Sequence, residues 1–183
     1  MRRHNLAFID TETTGLNADK HEIIQIGCVV VSQTWDNGRP SQFEVLEEIE
    51  LKIKPENLKD ADPVALRVNG YNEADWIFAH DLKTAMGVLA KATADSIMVS
   101  HNITFDYAFL EKAFRKTGIE NRMHFHKLDT ISLAFAKLHA KEDVERFSLQ
   151  FLCDYFGIEN KKAHTALSDA RATFELYKKL MAL

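Results

Sequence analysis

Nine consecutive residues, Ile23-Ile24-Gln25-Ile26-Gly27-Cys28-Val29-Val30-Val31, contain a single strongly polar side chain. β-Branched side chains favour extended backbone. A strand that is apolar at successive positions is apolar on both faces, so both faces must be covered. A one-sided antiparallel sheet facing water is therefore excluded, and a layered arrangement with helices on the sheet is expected. Leu6-Ala7-Phe8-Ile9 reads as a second short buried strand. Asp36-Asn37-Gly38-Arg39-Pro40 is turn chemistry. After it, Ile49, Leu51 and Ile53 alternate with Glu50, Lys52 and Lys54, as in a half-buried or edge strand. The opening third thus predicts a three-stranded meander. Pro55 and Pro63 mark a loop, and Glu56 to Asp62 shows little periodicity.

The period then changes. Leu82, Ala85, Met86, Leu89 and Ala92 recur at helical spacing, and Ile97-Met98-Val99 follows as a short buried strand. Phe105, Phe109, Ala113 and Phe114 mark another helix, with Asn102 or Thr104 available as its cap. A weak strand from Phe125 to Leu128 leads into a helix begun by Asp129-Thr130. A further helix runs from Ser148 to Gly157, and the last covers Ala166 to Met181. A meander followed by alternating helices and strands predicts an α/β layer fold: a mixed sheet of about five strands flanked by helices, in one domain over residues 1–183.

The chain carries 23 Lys and Arg against 27 Asp and Glu, a net charge of −4, so it does not coat nucleic acid by bulk charge. A polyanion would be met locally, through cations at a site. There is no 18-residue apolar run and no signal-peptide pattern at Met1 to Leu6, which leads to an expectation of a cytoplasmic protein with no membrane segment. Cys28 and Cys153 lack metal-type spacing and read as buried thiols. His124 and His126 read as an exposed strand face, and His101 as a residue that fixes a backbone turn.

The chemistry gathers at Phe8-Ile9-Asp10-Thr11-Glu12-Thr13-Thr14-Gly15-Leu16. If extended backbone lasts through Glu12, its period of two sends Asp10 and Glu12 to one side. Two carboxylates at the end of a buried strand require protonation, a basic partner or a metal ion. No Lys or Arg lies between Arg3 and Lys20, which favours a hard cation held by oxygen ligands. In His101-Asn102-Ile103-Thr104-Phe105-Asp106 the chain leaves a strand and enters a helix, placing Asp106 in the first turn, near a strand end. In His164-Thr165-Ala166-Leu167-Ser168-Asp169, the acid falls on the last helix and the histidine ahead of it, beside Lys161 and Lys162. Two divalent ions about 4 Å apart, bridged by Asp10 and flanked by Glu12, Asp106 and Asp169, would hold a phosphodiester and stabilise the departing oxygen. Magnesium suits such ligands, with manganese as a substitute. A histidine side chain ordinarily titrates near neutrality, so His164 is expected as the general base.

These three stretches resemble the motifs of the DEDDh exonucleases, the DnaQ-like group that includes the proofreading epsilon subunit of bacterial DNA polymerase III, and the resemblance covers nearly the whole chain. It implies a ribonuclease H-like fold, two divalent metals, and hydrolysis of single-stranded DNA or RNA from the 3′ end to nucleoside 5′-monophosphates. By position, Asp10, Glu12, Asp106 and Asp169 would be metal ligands and His164 the base. Thr11, Thr13, Gly15, Leu16, Asn102 and Phe105 match positions that bind or wedge the terminal nucleotide, and Asn69 stands where the proofreading subunit has a nucleotide-touching histidine. A DNA polymerase is an implied partner, although the chain stops at its last helix without the proofreading subunit's polymerase-joining tail. Monomer and homodimer are both compatible with the family.

Gln25 occupies a position that is Glu in many relatives and is read as structural or supporting. Phe8-Ile9 before Asp10, and Thr13, depart from the usual Trp and Met of oligoribonucleases, which lowers the dinucleotide-trimming reading; single-stranded DNA is favoured over RNA. The runner-up is an RNA 3′-end trimming enzyme similar to ribonuclease T. A metal-dependent hydrolase of small nucleotides is a third reading. The alternative from another class, an inert nucleic-acid-end or polymerase-binding module, predicts a missing ligand, and all four acids are present.

Overall fold

The computed structural model describes residues 3–160 and 165–183, apart from the Arg39 side chain. Five strands form one sheet: β1 (Leu6–Thr13), β2 (Ile23–Asp36), β3 (Arg39–Lys52), β4 (Ile97–Ser100) and β5 (Lys127–Asp129). They are ordered β3-β2-β1-β4-β5. β1 and β3 run antiparallel to β2, while β4 is parallel to β1 and β5 parallel to β4. The sheet is mixed, as the sequence predicts.

Helices α1 (Pro63–Val68), α2 (Leu82–Ala92), α3 (Ile103–Thr117), α4 (Thr130–Leu138), α5 (Leu149–Phe156) and α6 (Ala166–Ala182) complete it. The two faces of the sheet carry separate cores. Ala7, Ile9, Ile26 and Cys28 pack against Met86 and Leu89 of α2 and Phe109 and Leu110 of α3. Leu6, Phe8, Val29 and Val31 pack against Ala170, Phe174 and Tyr177 of α6. Every residue from Ile23 to Val31 is buried, so the uninterrupted apolar run is covered on both sides. α4, α5 and α6 share a smaller cluster of Ala134, Leu138, Leu152, Leu176 and Leu180.

Three boundaries differ from the sequence reading. The stretch after Pro55 includes α1, one and a half turns too short to show a period, started by Asp62, whose carboxylate accepts from Val64 N at 2.8 Å, and by Pro63 in the first turn. The β2–β3 turn narrows to Asn37-Gly38, both left-handed, with Asp36 already paired to Arg39. β5 begins at Lys127 rather than Phe125, and the rings of Phe125 and His126 each stack on that of His124 instead. Both cysteines are buried free thiols. Among the described residues, no helix is long and apolar enough to cross a membrane.

Candidate active site

The alternation of β1 sorts the acids. Asp10 and Glu12 follow Leu6 and Phe8 on the α6 side, whereas Thr11 follows Ala7 and Ile9 on the α3 side. Asp169, in the first turn of α6, meets the first pair: Asp10, Glu12 and Asp169 each offer a carboxylate oxygen, and these lie within 4.8 Å of one another. Asp106, in the first turn of α3, is buried beside β1 and is held by three donors. Thr11 N and Thr11 Oγ1 reach its Oδ1 at 2.9 and 2.8 Å, and Ser100 Oγ lies 2.7 Å from its Oδ2. Three of the four predicted ligands therefore converge directly, and the fourth stands behind them, close enough for its charge to act on Asp10 and Glu12.

The electrostatics follow from this crowding. Burial, then the charges of Asp106, Asp169 and Glu12, raise the Asp10 carboxyl well above its ordinary range. Burial, then Asp169 and Asp106, lift Glu12 to about 7. Asp106 rises to about 6 through burial, opposed by its bonds from Ser100 and Thr11. Carboxylates placed this way favour a bound cation or protons. An all-oxygen donor set suits a hard divalent ion.

Several side chains set this geometry. Asn160 Nδ2 donates to Asp169 Oδ1 at 2.6 Å, and Ser168 Oγ donates to Asn160 Oδ1. Gln25 Oε1 accepts from Ala166 N at 3.4 Å at the start of α6, while its Nε2 donates to Glu50. Gly27 lets α6 approach: a Cβ there would lie 2.1 Å from the Ala166 carbonyl carbon. His101 bonds Thr130 Oγ1 through Nδ1 and the Phe147 carbonyl through Nε2, fixing the turn after β4. Asp129 caps α4 by accepting from Ile131 N and Ser132 N, and also accepts from Asn102 N.

The residues matched to nucleotide-binding positions fall into two groups. Thr11, Thr13 and Asn69 are buried. Thr11 bonds Asp106, Thr13 Oγ1 donates to Gly15 O at 2.7 Å, and Asn69 Nδ2 donates to Thr13 O at 3.0 Å. Leu16 is 80% exposed, an apolar side chain presented to solvent at the end of the Thr13–Gly15 turn. Asn102 is exposed in the left-handed region; it precedes α3 but gives no side-chain cap, and its Oδ1 accepts from Thr104 Oγ1. Phe105 is half-buried against Phe109, with ring centroids 5.0 Å apart. His164, Lys161 and Lys162 lie outside the described residues. Sequence reasoning missed Ser100, Asn160 and Gly27. A signal existed for Gly27 alone, since glycine inside a strand often marks a close backbone approach.

Comparison with known proteins bears on the fold and the family. The exonuclease family RNase_T matches residues 7–177. Ribonuclease T of Shewanella frigidimarina is 31% identical over 185 residues, covering 92% of this chain and 78% of that protein. The PolC-type DNA polymerase III of Caldanaerobacter subterraneus subsp. tengcongensis is 27% identical over 177 residues, covering 94% of this chain. This chain spans only 11% of that polymerase. Among solved structures, a zinc-bound complex of E. coli exonuclease I with single-stranded DNA superposes with a TM-score of 0.79 at 18% identity, over 96% of this chain and 40% of that one. The fold is ribonuclease H-like, and the chain belongs to the RNase_T family of exonuclease domains.

Proposed function

We propose that residues 1–183 form one domain that hydrolyses single-stranded nucleic acid from the 3′ end, DNA in preference to RNA, releasing nucleoside 5′-monophosphates. The observation that carries this reading is the meeting of Asp10, Glu12 and Asp169 within 4.8 Å at the end of β1, with Asp106 behind them. These four acids would hold two Mg2+, with Mn2+ as a substitute. When bound, the ions supply charge stabilisation for the phosphoryl oxygens and the departing oxygen. The chain's own groups do the rest. The Thr13–Gly15 turn and the exposed Leu16 seat and wedge the terminal nucleotide, and Phe105 stacks on a base without reading its identity. Asn69 supports that seat through the Thr13 carbonyl. Asn102, exposed just ahead of α3, hydrogen-bonds the terminal sugar or phosphate. His164 takes a proton from the attacking water. Two buried free thiols suit a cytoplasmic setting.

A second reading, RNA 3′-end trimming, is favoured by the 31% identity to a ribonuclease T most of whose length the chain covers. The match to a PolC-type polymerase supports association with a DNA polymerase as a further part of the proposal. The test uses 5′-labelled single-stranded DNA and RNA of equal sequence with Mg2+, Mn2+ or chelator. A ladder of shortened products that needs the cation, and is lost in Asp10→Ala and His164→Ala, is expected. Full activity in Asp10→Ala, or in chelator, refutes the assignment, and faster loss of RNA selects the second reading.

A further inference from the structure

Leu16 and Gly15 belong to a loop that turns out of β1 and returns at the start of β2. The loop closes on itself: Thr14 N donates to Glu22 O at 2.8 Å, His21 N to Asn17 O at 2.8 Å, and Asn17 N to His21 Nδ1 at 3.0 Å. The His21 ring lies against Gly15, where any Cβ would run into it. From α3, Lys112 reaches under this loop. Its Nζ donates to three backbone carbonyls, Ala18 O at 2.5 Å, Asp19 O at 3.0 Å and His21 O at 3.1 Å. An ammonium has three donors, and here all three end on one loop. Charge-assisted bonds of this kind are stronger than neutral ones. One turn further along α3, Lys116 pairs with Glu22 at 3.9 Å and Glu56 at 2.7 Å, and Glu22 Oε2 accepts from Glu56 N and Asn57 N. The helix that carries Asp106 thus also grips the loop that carries Leu16.

We propose that Lys112 is a positioning residue that determines affinity for the 3′ end. By fixing the Ala18–His21 carbonyls to α3, it holds Gly15 and Leu16 as a preformed seat for the terminal nucleotide, in a fixed relation to the acids. The inference rests on the proposed seat but not on hydrolysis. Lys112→Met keeps the length of the side chain and removes the donors; Lys112→Gln is the second variant should the first fail to fold. Binding of a fluorescent single-stranded oligonucleotide in chelator is expected to weaken about tenfold, and amide exchange across Asn17–Glu22 to accelerate. In turnover with Mg2+, KM rises by a similar factor while kcat stays within about threefold. Unchanged affinity, or a fall in kcat with KM unmoved, overturns the inference. A wild-type protein that binds the oligonucleotide yet never shortens it overturns the nuclease reading instead, and the affinity and exchange comparison still decides the role of Lys112.

Discussion

Gly27→Ala tests whether the meeting of Asp169 with the β1 acids depends on how closely α6 lies on the sheet. The new Cβ would stand 2.1 Å from the Ala166 carbonyl carbon and 2.2 Å from Ala166 O and Leu167 N, all backbone atoms that no rotamer change can move aside. Ordinary contact begins at 3.4 Å, so the first turn of α6 must lift by about 1.3 Å. The Gln25 bond to Ala166 N, already 3.4 Å, is lost with it. Overpacking of this kind costs about 1–3 kcal/mol, roughly 2–10 °C in melting temperature for a domain of this size. Asp169 lies three residues beyond Ala166 and moves with the helix. A displacement of about 1 Å at a reacting centre can reduce the rate by about a hundredfold. Gly87→Ala in α2 is the control, because a Cβ there meets nothing within 4 Å and replaces helical glycine with a better helix former, adding about 0.5–1 kcal/mol. Thermal unfolding and steady-state hydrolysis of a labelled oligonucleotide at saturating Mg2+ read both effects. A Gly27→Ala protein that melts and turns over like wild type refutes the claim that this contact sets the site.

Two other outcomes follow from the charges. Glu12 keeps its proton in the folded protein up to about pH 7 but loses it near its ordinary 4.5 when unfolded, so the folded state binds more protons across that window. Its contribution is complete below pH 4.5 and is lost as pH rises through 7, by up to about 3 kcal/mol, with Asp10 and Asp106 acting in the same sense. Melting in chelator should therefore fall from pH 5 to pH 8, and Mg2+ should raise the melting temperature more at pH 8 than at pH 5; equal Mg2+ effects at both would contradict it. Ser100→Ala removes the hydroxyl 2.7 Å from Asp106 Oδ2 and should cost about 1–3 kcal/mol by leaving a buried acceptor short of a partner. Because that bond lowers the Asp106 pKa, its loss should move the acid limb of the pH–rate profile upward, and an unmoved limb would count against the assignment.

What the sequence revealed was local or periodic. The apolar run in β2 required cover on both faces, and the period of two placed Asp10 and Glu12 together, because both properties are set by backbone geometry within a few residues. The spacing of His164 and Asp169 left the acid at the start of a helix, where it lies. α1 was invisible because six residues are too few to show a period. Lys112 was illegible for a different reason. Its three acceptors are carbonyls more than 90 positions away, and backbone oxygens leave no trace in residue identity. Ser100 and Asn160 are small polar residues whose partners are fixed only when two elements meet.

The delivery of four acids from β1, α3 and α6 to one strand end bears on how the site tolerates its own charge. Asp10 faces the charges of the other three, and Asp106 and Asp169 each accept from protein donors. Thr11 bonds Asp106 through both its amide and its hydroxyl, while the Asp106 charge still acts on both Asp10 and Glu12. These bonds and the one from Ser100 oppose the effect of burial on Asp106, which still rises to about 6, so Asp10, Glu12 and Asp106 all keep a raised affinity for protons. The demand for a cation is shared by all three carboxyls at the end of β1, a strand whose side chains enter both cores, so relaxation away from the crowding would disturb both. Cation binding should accordingly slow amide exchange at the start of both α6, through Asp169, and α3, through Asp106, and protection confined to one of them would contradict this.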